Sequence, residues 1–98
     1  MIITKQQNAD TLEFVLEGRL DTTTAPQLEV ELNNSINGVK ELVLDFKGLE
    51  YISSAGLRVL LSAQKIMNKQ GELTIKNVCS DIMDVFEITG FSEILNIE

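Results

Sequence analysis

The chain lacks histidine and tryptophan, and its 98 residues include one cysteine, Cys79, and one proline, Pro26. Without an imidazole side chain, a Ser-His-Asp catalytic arrangement is excluded. A single cysteine can form neither an internal disulfide nor a cysteine-rich zinc site. We therefore expect a domain that is stabilised by its own core and needs no cofactor.

Long apolar runs and positive charge are also scarce. No stretch approaches the ~20 apolar residues that a membrane-spanning helix needs, and no signal peptide is recognisable, so we expect a cytoplasmic protein without a membrane partner. Eight basic and 15 acidic residues give a formal charge of −7. Nucleic-acid backbones repel such a surface, so nucleic acid is not an expected partner. Basic partners remain open, although net negative charge also favours solubility.

Three segments with apolar residues at helical spacing each end at a glycine and are followed by a short apolar run. The first helix is predicted to begin near Thr24, where Thr24 and Gln27 resemble a capping box and Pro26 suits the first turn. The second carries a leucine-rich stripe from Leu57 onward, and the third is predicted to begin near Ser80 or Asp81. The predicted ends are Gly38, Gly71 and Gly90.

Two strand-like segments, 2–7 and 11–16, precede these helices, with a turn at 8–10. Short apolar strands are predicted after the helices at 42–44, 73–75 and 94–97. The order is therefore β-β-α-β-α-β-α-β. It predicts a single α/β domain over residues 1–98, with a mixed, mostly parallel sheet of about five strands and three or more helices packed on it.

Two hydroxyls and a glycine occupy the start of the second predicted helix, at Ser53, Ser54 and Gly56. Ser54 could simply cap the helix. The alternative interpretation is that Ser54 accepts a phosphate, because a helix start offers free N–H groups and partial positive charge. Gly56 would let another backbone or molecule approach closely.

A second polar segment, 18–24, links the second strand to the first helix. Asp21 and its neighbouring threonines could be turn and cap residues. Because loops after parallel strands gather at one edge of a sheet, Asp21 and Ser54 are predicted to be neighbours. An enzyme is not expected, because the carboxylates are scattered, no nucleotide-phosphate loop is present, and Ser54 has no base to activate it.

These two segments carry a resemblance to a known family. Gly-Arg-Leu-Asp at 18–21 and Tyr-Ile-Ser-Ser-Ala-Gly-Leu-Arg at 51–58 resemble the STAS family, which includes sulfate transporters and anti-sigma factor antagonists. The resemblance covers nearly the whole chain and implies the STAS fold. It also implies partner switching, in which the unphosphorylated antagonist binds an anti-sigma factor serine kinase and thereby releases the sigma factor.

In the mechanism that the resemblance implies, the kinase phosphorylates the antagonist and a PP2C-type phosphatase resets it. The acceptor position falls on Ser54, and Asp21 falls beside the partner surface. We expect a protein that is monomeric when free. The expected partner-binding residues are Asp21, Thr22, Thr23, Ser53, Ser54, Ala55, Gly56, Leu57 and Arg58.

The chain departs from the family pattern on both sides of the acceptor. Many antagonists have Asp before it, where this chain has Ser53, and often Ser or Thr after it, where this chain has Ala55. The output pathway therefore stays open, and Ser53 is a second possible acceptor. Two alternatives also remain: a constitutive STAS interaction domain in another signalling or transport-regulating assembly, and a binder of nucleotides or small molecules at the Asp21/Ser54 face.

Overall fold

Five strands and three helices follow one another in the predicted order, and a short 3-10 helix was not predicted. The computed structural model describes residues 1–98. The elements are β1 (Ile2–Asn8), β2 (Thr11–Leu20), α1 (Ala25–Ser35), β3 (Glu41–Ile52), α2 (Ser54–Gln70), β4 (Glu72–Lys76), α3 (Ser80–Thr89), the 3-10 helix (Phe91–Glu93) and β5 (Asn96–Ile97).

The strands form one mixed sheet in the order β1-β2-β3-β4-β5. Only β1 runs antiparallel to its neighbour, because a two-residue turn at 9–10 joins it directly to β2. Helical connections separate the later strands, and these strands pair in parallel, as crossover connections require. The predicted fold class is confirmed.

One apolar core lies between the sheet and its helices. In β2, Leu12, Phe14 and Leu16 are fully buried and alternate with partly buried residues, which is the pattern of a strand covered on one face. The Phe46 ring of β3 lies 6.4 Å from the Phe86 ring of α3, measured between centroids. Aliphatic and phenylalanine side chains thus build the core, in the absence of tryptophan.

The predicted strands at 11–16 and 42–44 were too short. β2 continues to Leu20 and β3 to Ile52. Polar residues and Gly48 interrupt the apolar run of β3, and the pairing of β2 with β3 shifts register between Val15 and Glu17 and again at residues 18–19. Because these irregularities break the alternation of apolar and polar residues, periodicity does not predict the full length of either strand. Both strands nevertheless continue to the edge of the sheet where the candidate site lies.

The last predicted strand, 94–97, was too long. Residues 94 and 95 form a turn and a bend after the 3-10 helix, and β5 consists of Asn96 and Ile97 alone. Its two residues pair in parallel with β4. The helix ends agree better: α2 ends at Gln70, and α3 ends at Thr89, followed by the C-cap Gly90, whose φ of 83° is the left-handed conformation expected there. α1 ends at Ser35, slightly before the predicted stop at 37–38.

Candidate functional site

The two polar segments meet at one edge of the sheet. Leu20, the last residue of β2, pairs with Ile52, the last residue of β3. The N–H of Ser53 donates to the carbonyl oxygen of Leu20 at 2.9 Å. Asp21 and Ser54 therefore follow closely on two residues that are paired across the sheet. Their predicted proximity is confirmed, because β2 and β3 are adjacent and parallel.

Asp21 organises the turn that precedes α1. One carboxylate oxygen, Oδ1, accepts the N–H groups of Thr23 at 3.0 Å and Thr24 at 3.1 Å. The Thr24 N–H, and after it the Thr23 N–H and the Thr24 hydroxyl, hold the pKa of Asp21 below its ordinary value, with Arg19 adding to the effect and partial desolvation opposing it. The Asp21 carboxylate is thus already hydrogen-bonded within its own turn.

The predicted capping box at Thr24 is wrong. Although Thr24 occupies the N-cap position of α1, its side chain makes no capping bond to the helix. Its hydroxyl instead donates to the carbonyl oxygen of Arg19 at 2.7 Å and accepts the N–H of Asp21 at 2.9 Å. The end of β2 lies close enough to compete for the hydroxyl, and this arrangement fixes the angle at which the chain leaves β2.

The start of α2 assigns different positions to its two serines. Ser53 is the N-cap residue, with extended backbone angles (φ −103°, ψ 177°), and Ser54 is the first helical residue. The Ser53 hydroxyl oxygen has less than 1 Å² of accessible surface and no hydrogen-bond partner. Ser54 is exposed and is not the cap. The interpretation of Ser54 as the capping residue is therefore wrong.

The amino end of α2 has no side chain that accepts its free N–H groups or offsets its partial positive charge. The N–H groups of Ser54, Ala55 and Gly56 have no acceptor within the protein, and the first turn contains no acidic side chain. Free N–H groups and the helix dipole give such an end a partial positive charge. An anionic group attached to the first turn would be favoured there.

Gly56 is required for packing within the domain. A Cβ atom at this position would lie 2.8 Å from Cγ1 of Ile52 and 2.8 Å from Cγ of Leu20. The close neighbours are thus side chains at the ends of β2 and β3, rather than a second molecule. Gly56 and Leu57 are both buried and hold α2 against the sheet.

The remaining predicted site residues lie nearer to solvent. Thr22, Thr23, Ser54 and Arg58 are exposed, and the other three are partly buried: Asp21, Ser53 and Ala55. They lie on the segments that follow the paired ends of β2 and β3, and Thr22, Ala55 and Arg58 line one depression there. These residues, without the enclosed hydroxyl of Ser53, are named the switch face.

Sequence reasoning missed Tyr51 as part of this region. Its ring lies 4.1 Å from the Arg19 guanidinium carbon, measured to the ring centroid, and 41% of the residue is exposed. Arg19 also approaches Asp21 at 3.7 Å. Only the register of β2 and β3, which pairs Arg19 with Tyr51, reveals the contact. Stacked tyrosine and arginine side chains are common anchors of protein interfaces.

The surroundings of the switch face suit a large partner better than a small ligand. The depression beside it has a volume of about 190 Å³, below the ~300–1,000 Å³ of typical ligand pockets. Its lining comprises Thr22, Ala25, Pro26, Glu29, Ala55, Arg58 and Val59. No cluster of His, Cys, Asp and Glu side chains is placed to hold a metal ion. No helix has both the length and the apolar character needed to cross a membrane.

Comparison with known proteins agrees with this architecture. The model of the STAS domain matches residues 2–98. The chain belongs to the STAS domain family. This STAS domain is 44% identical over 81 residues to BtrV of Bordetella bronchiseptica, a candidate anti-sigma factor antagonist, covering 81% of this chain and 70% of that protein. It is 32% identical over 98 residues to the anti-sigma-B factor antagonist of Listeria monocytogenes, covering 96% and 84%.

The fold of this STAS domain also matches a protein solved in two covalent states. The anti-sigma factor antagonist SpoIIAA aligns in its unphosphorylated form with a TM-score of 0.78 and 17% identity, covering 99% of this chain and 87% of that one. The Bacillus SpoIIAA in its phosphorylated form aligns with a TM-score of 0.77 and 18% identity, covering 99% and 91%. At such low identity the likeness concerns the fold alone.

Proposed function

We propose that this STAS domain is an anti-sigma factor antagonist that is switched off by phosphorylation of Ser54. The observation that carries the proposal is the contrast between two adjacent serines. Ser54 offers an exposed side chain on the first turn of α2, whereas the Ser53 hydroxyl is enclosed. A kinase needs access to the acceptor oxygen, so Ser54 is the acceptor and Ser53 is not.

Phosphorylation would change the switch face without requiring a change of fold. The kinase transfers the terminal phosphoryl group of ATP to the Ser54 oxygen, with ADP and the hydroxyl proton as the other products. The phosphate adds about −1.5 to −2 charges beside the uncompensated amino end of α2. The nearly equal TM-scores to the two forms of SpoIIAA support a switch that leaves the fold in place.

The unphosphorylated switch face would bind an anti-sigma factor serine kinase and so release the sigma factor. Docking would then bury the Ser54 side chain, and a phosphate there would have to be desolvated against a fitted surface. A penalty of ~3 kcal/mol would weaken binding more than a hundredfold. A PP2C-type phosphatase in the cytoplasm would remove the phosphate and restore binding. We expect the free domain to be a monomer.

In this proposal the protein is a substrate and a binding module, and not an enzyme. Ser54 has no neighbouring base: the chain contains no histidine, and the carboxylate of Asp21 already accepts the N–H groups of Thr23 and Thr24. The exposed parts of Asp21, Thr22, Thr23, Ala55 and Arg58 would contact the partner. Gly56 and Leu57 would act indirectly, by holding α2 in position.

The test is a binding measurement with the purified anti-sigma factor kinase of the same organism. Ser54→Ala should bind the kinase as tightly as the unmodified protein, also in the presence of ATP. Ser54→Asp should bind at least tenfold more weakly, because it places a charge at the same position. Ser53→Asp is not a matched control, since it would bury a charge, so Ser80→Asp, at the exposed first residue of α3, serves instead and should bind normally.

Equal affinity of the Ser54→Ala and Ser54→Asp variants for the kinase would contradict the proposal. It would favour a constitutive STAS interaction domain in another signalling or transport-regulating assembly. Because Ser54 does not occupy the N-cap position, neither variant is expected to lose appreciable stability. A difference in affinity could therefore be assigned to docking and not to unfolding.

A further inference from the structure

Two arginines, Arg19 beside the switch face and Arg58 on it, differ in the contacts that their guanidinium groups make. Arg19 stacks on the Tyr51 ring at 4.1 Å and lies 3.7 Å from a carboxylate oxygen of Asp21. Arg58 is exposed and makes no ion pair, hydrogen bond or aromatic contact within the protein. The chain thus holds one guanidinium in place and leaves the other without a partner.

The geometry of α2 directs this free guanidinium toward Ser54. Ser54 and Arg58 are four residues apart, so they share one face of the helix with Cβ atoms about 5–6 Å apart. Side chains in helices lean toward the amino end, over the residues three and four positions earlier. The long side chain of Arg58 can therefore reach an atom attached to the Ser54 oxygen without any movement of the backbone.

We propose that Arg58 captures the phosphate of phosphorylated Ser54, so that one modification removes two features from the docking surface. The phosphate adds negative charge, and the captured guanidinium is no longer available to a carboxylate of the partner. Planar guanidinium groups pair with phosphate through two parallel hydrogen bonds, which favours this contact over a looser one to a single carboxylate oxygen. The inference rests on the proposed function of Ser54.

Few other charges compete for Arg58. Glu29 of α1 lines the same depression, but the structure contains no ion pair between the two side chains. Asp21, on the loop before α1, is held by Thr23, Thr24 and Arg19. A phosphate on the same helix face as Arg58 carries more charge than either carboxylate, so it is the preferred partner.

The test uses protein in which phosphoserine is incorporated at position 54 during translation, so no kinase is needed. The phosphorus NMR signal is titrated to find the second pKa of the phosphate, which lies near 6 in the absence of a partner. Arg58→Gln should raise this pKa by about 0.5 unit, because a nearby cation stabilises the dianion. Arg58→Lys should recover part of the shift, since it restores the charge but not the paired hydrogen bonds.

Arg19→Gln is the matched control and should change the phosphate pKa much less, because Arg19 is already engaged. An unchanged pKa in Arg58→Gln, or an equal shift in both variants, would overturn the inference. Neither result depends on a cognate kinase. Suppose that Arg58→Gln raises the phosphate pKa as expected, but the phosphoserine protein binds the kinase as tightly as the unmodified protein. This result would contradict the proposed function and would still support the capture of the phosphate by Arg58.

Discussion

The two helices that begin at the switch face start in opposite ways. Before α1, the carboxylate of Asp21 and the hydroxyl of Thr24 bond the surrounding N–H and carbonyl groups at 2.7–3.1 Å. At α2, the N-cap hydroxyl of Ser53 bonds nothing, and three N–H groups have no acceptor. The first start is stabilised by its own side chains, whereas the second is held by packing and by the backbone bond from the Ser53 N–H to the Leu20 carbonyl oxygen.

Under the proposed function, this difference separates a structural role from a binding role. A helix start that satisfies its own polar groups gains stability and offers little to a ligand. A start that leaves them free gives up stability but keeps donors and positive charge available for an anion. The contrast between the starts of α1 and α2 can be tested by variants that change one helix start and leave the other unchanged.

Gly56→Ala should have the largest effect on stability of any change at the start of α2, because close packing of Gly56 against β2 and β3 positions this start. Helix propensity alone would favour alanine by up to ~1 kcal/mol. The new methyl group, however, would lie 2.8 Å from atoms of Leu20 and Ile52, and overpacking of this kind costs ~1–3 kcal/mol. Urea denaturation should show a net loss. Ser54→Ala, in the same turn, is the control, and a gain in stability for Gly56→Ala would contradict the packing account.

Thr24→Val should cost about 1–2 kcal/mol. The two side chains are similar in size, but valine can replace neither the bond to the Arg19 carbonyl nor the bond from the Asp21 N–H. Each lost hydrogen bond is worth ~1 kcal/mol. Urea denaturation of the two proteins measures the difference. Thr22→Val changes an exposed threonine in the same loop and should leave the free energy of unfolding nearly unchanged. An equal loss of stability in both variants would contradict the role assigned to Thr24.

Asp21→Asn should reduce stability to a smaller extent and in a pH-dependent manner. The pKa of Asp21 lies below its ordinary value of 3.8, chiefly because of the Thr24 N–H, so its ionised form stabilises the folded state. This contribution is fully present above the ordinary value and is lost as the pH falls through the lower, folded-state value. Thermal unfolding from neutral pH down to about pH 2 should show the two proteins converging. A constant difference would argue against the charged interaction.

Ser53→Ala should have the smallest effect, within about 0.5 kcal/mol of the original protein. Its hydroxyl is enclosed and makes no bond, so alanine removes no favourable contact. Set beside Thr24→Val, it compares the N-cap hydroxyls of the two helices directly. A loss of about 1 kcal/mol or more in urea denaturation would mean that Ser53 caps α2 in solution, and the contrast between the two starts would be wrong.

The sequence carried enough information for the fold and for the place of the site. Helical spacing, terminal glycines and short apolar runs indicate crossover units, and parallel pairing then brings Asp21 and Ser54 to one edge. The lengths of β2 and β3 could not be predicted in this way. Register shifts and residues such as Lys47 and Gly48 break the alternation on which a strand prediction depends.

The detailed roles at the site required coordinates. The sequence alone favours Ser54 as the cap of α2, and only the first helical residue and the backbone angles show that Ser53 holds the N-cap position. The same limit explains Thr24, whose spacing to Gln27 fits a capping box although its hydroxyl bonds the end of β2 instead. Short-range patterns cannot show which of several nearby acceptors a hydroxyl will choose.

Mass spectrometry of the protein after incubation with the anti-sigma factor kinase and ATP tests the central claim most directly. The original protein and Ser53→Ala should each carry one phosphate, located on Ser54, and Ser54→Ala should carry none. Phosphate on Ser53, or undiminished phosphorylation of Ser54→Ala, would contradict the claim that the exposed hydroxyl at the start of α2 is the switch.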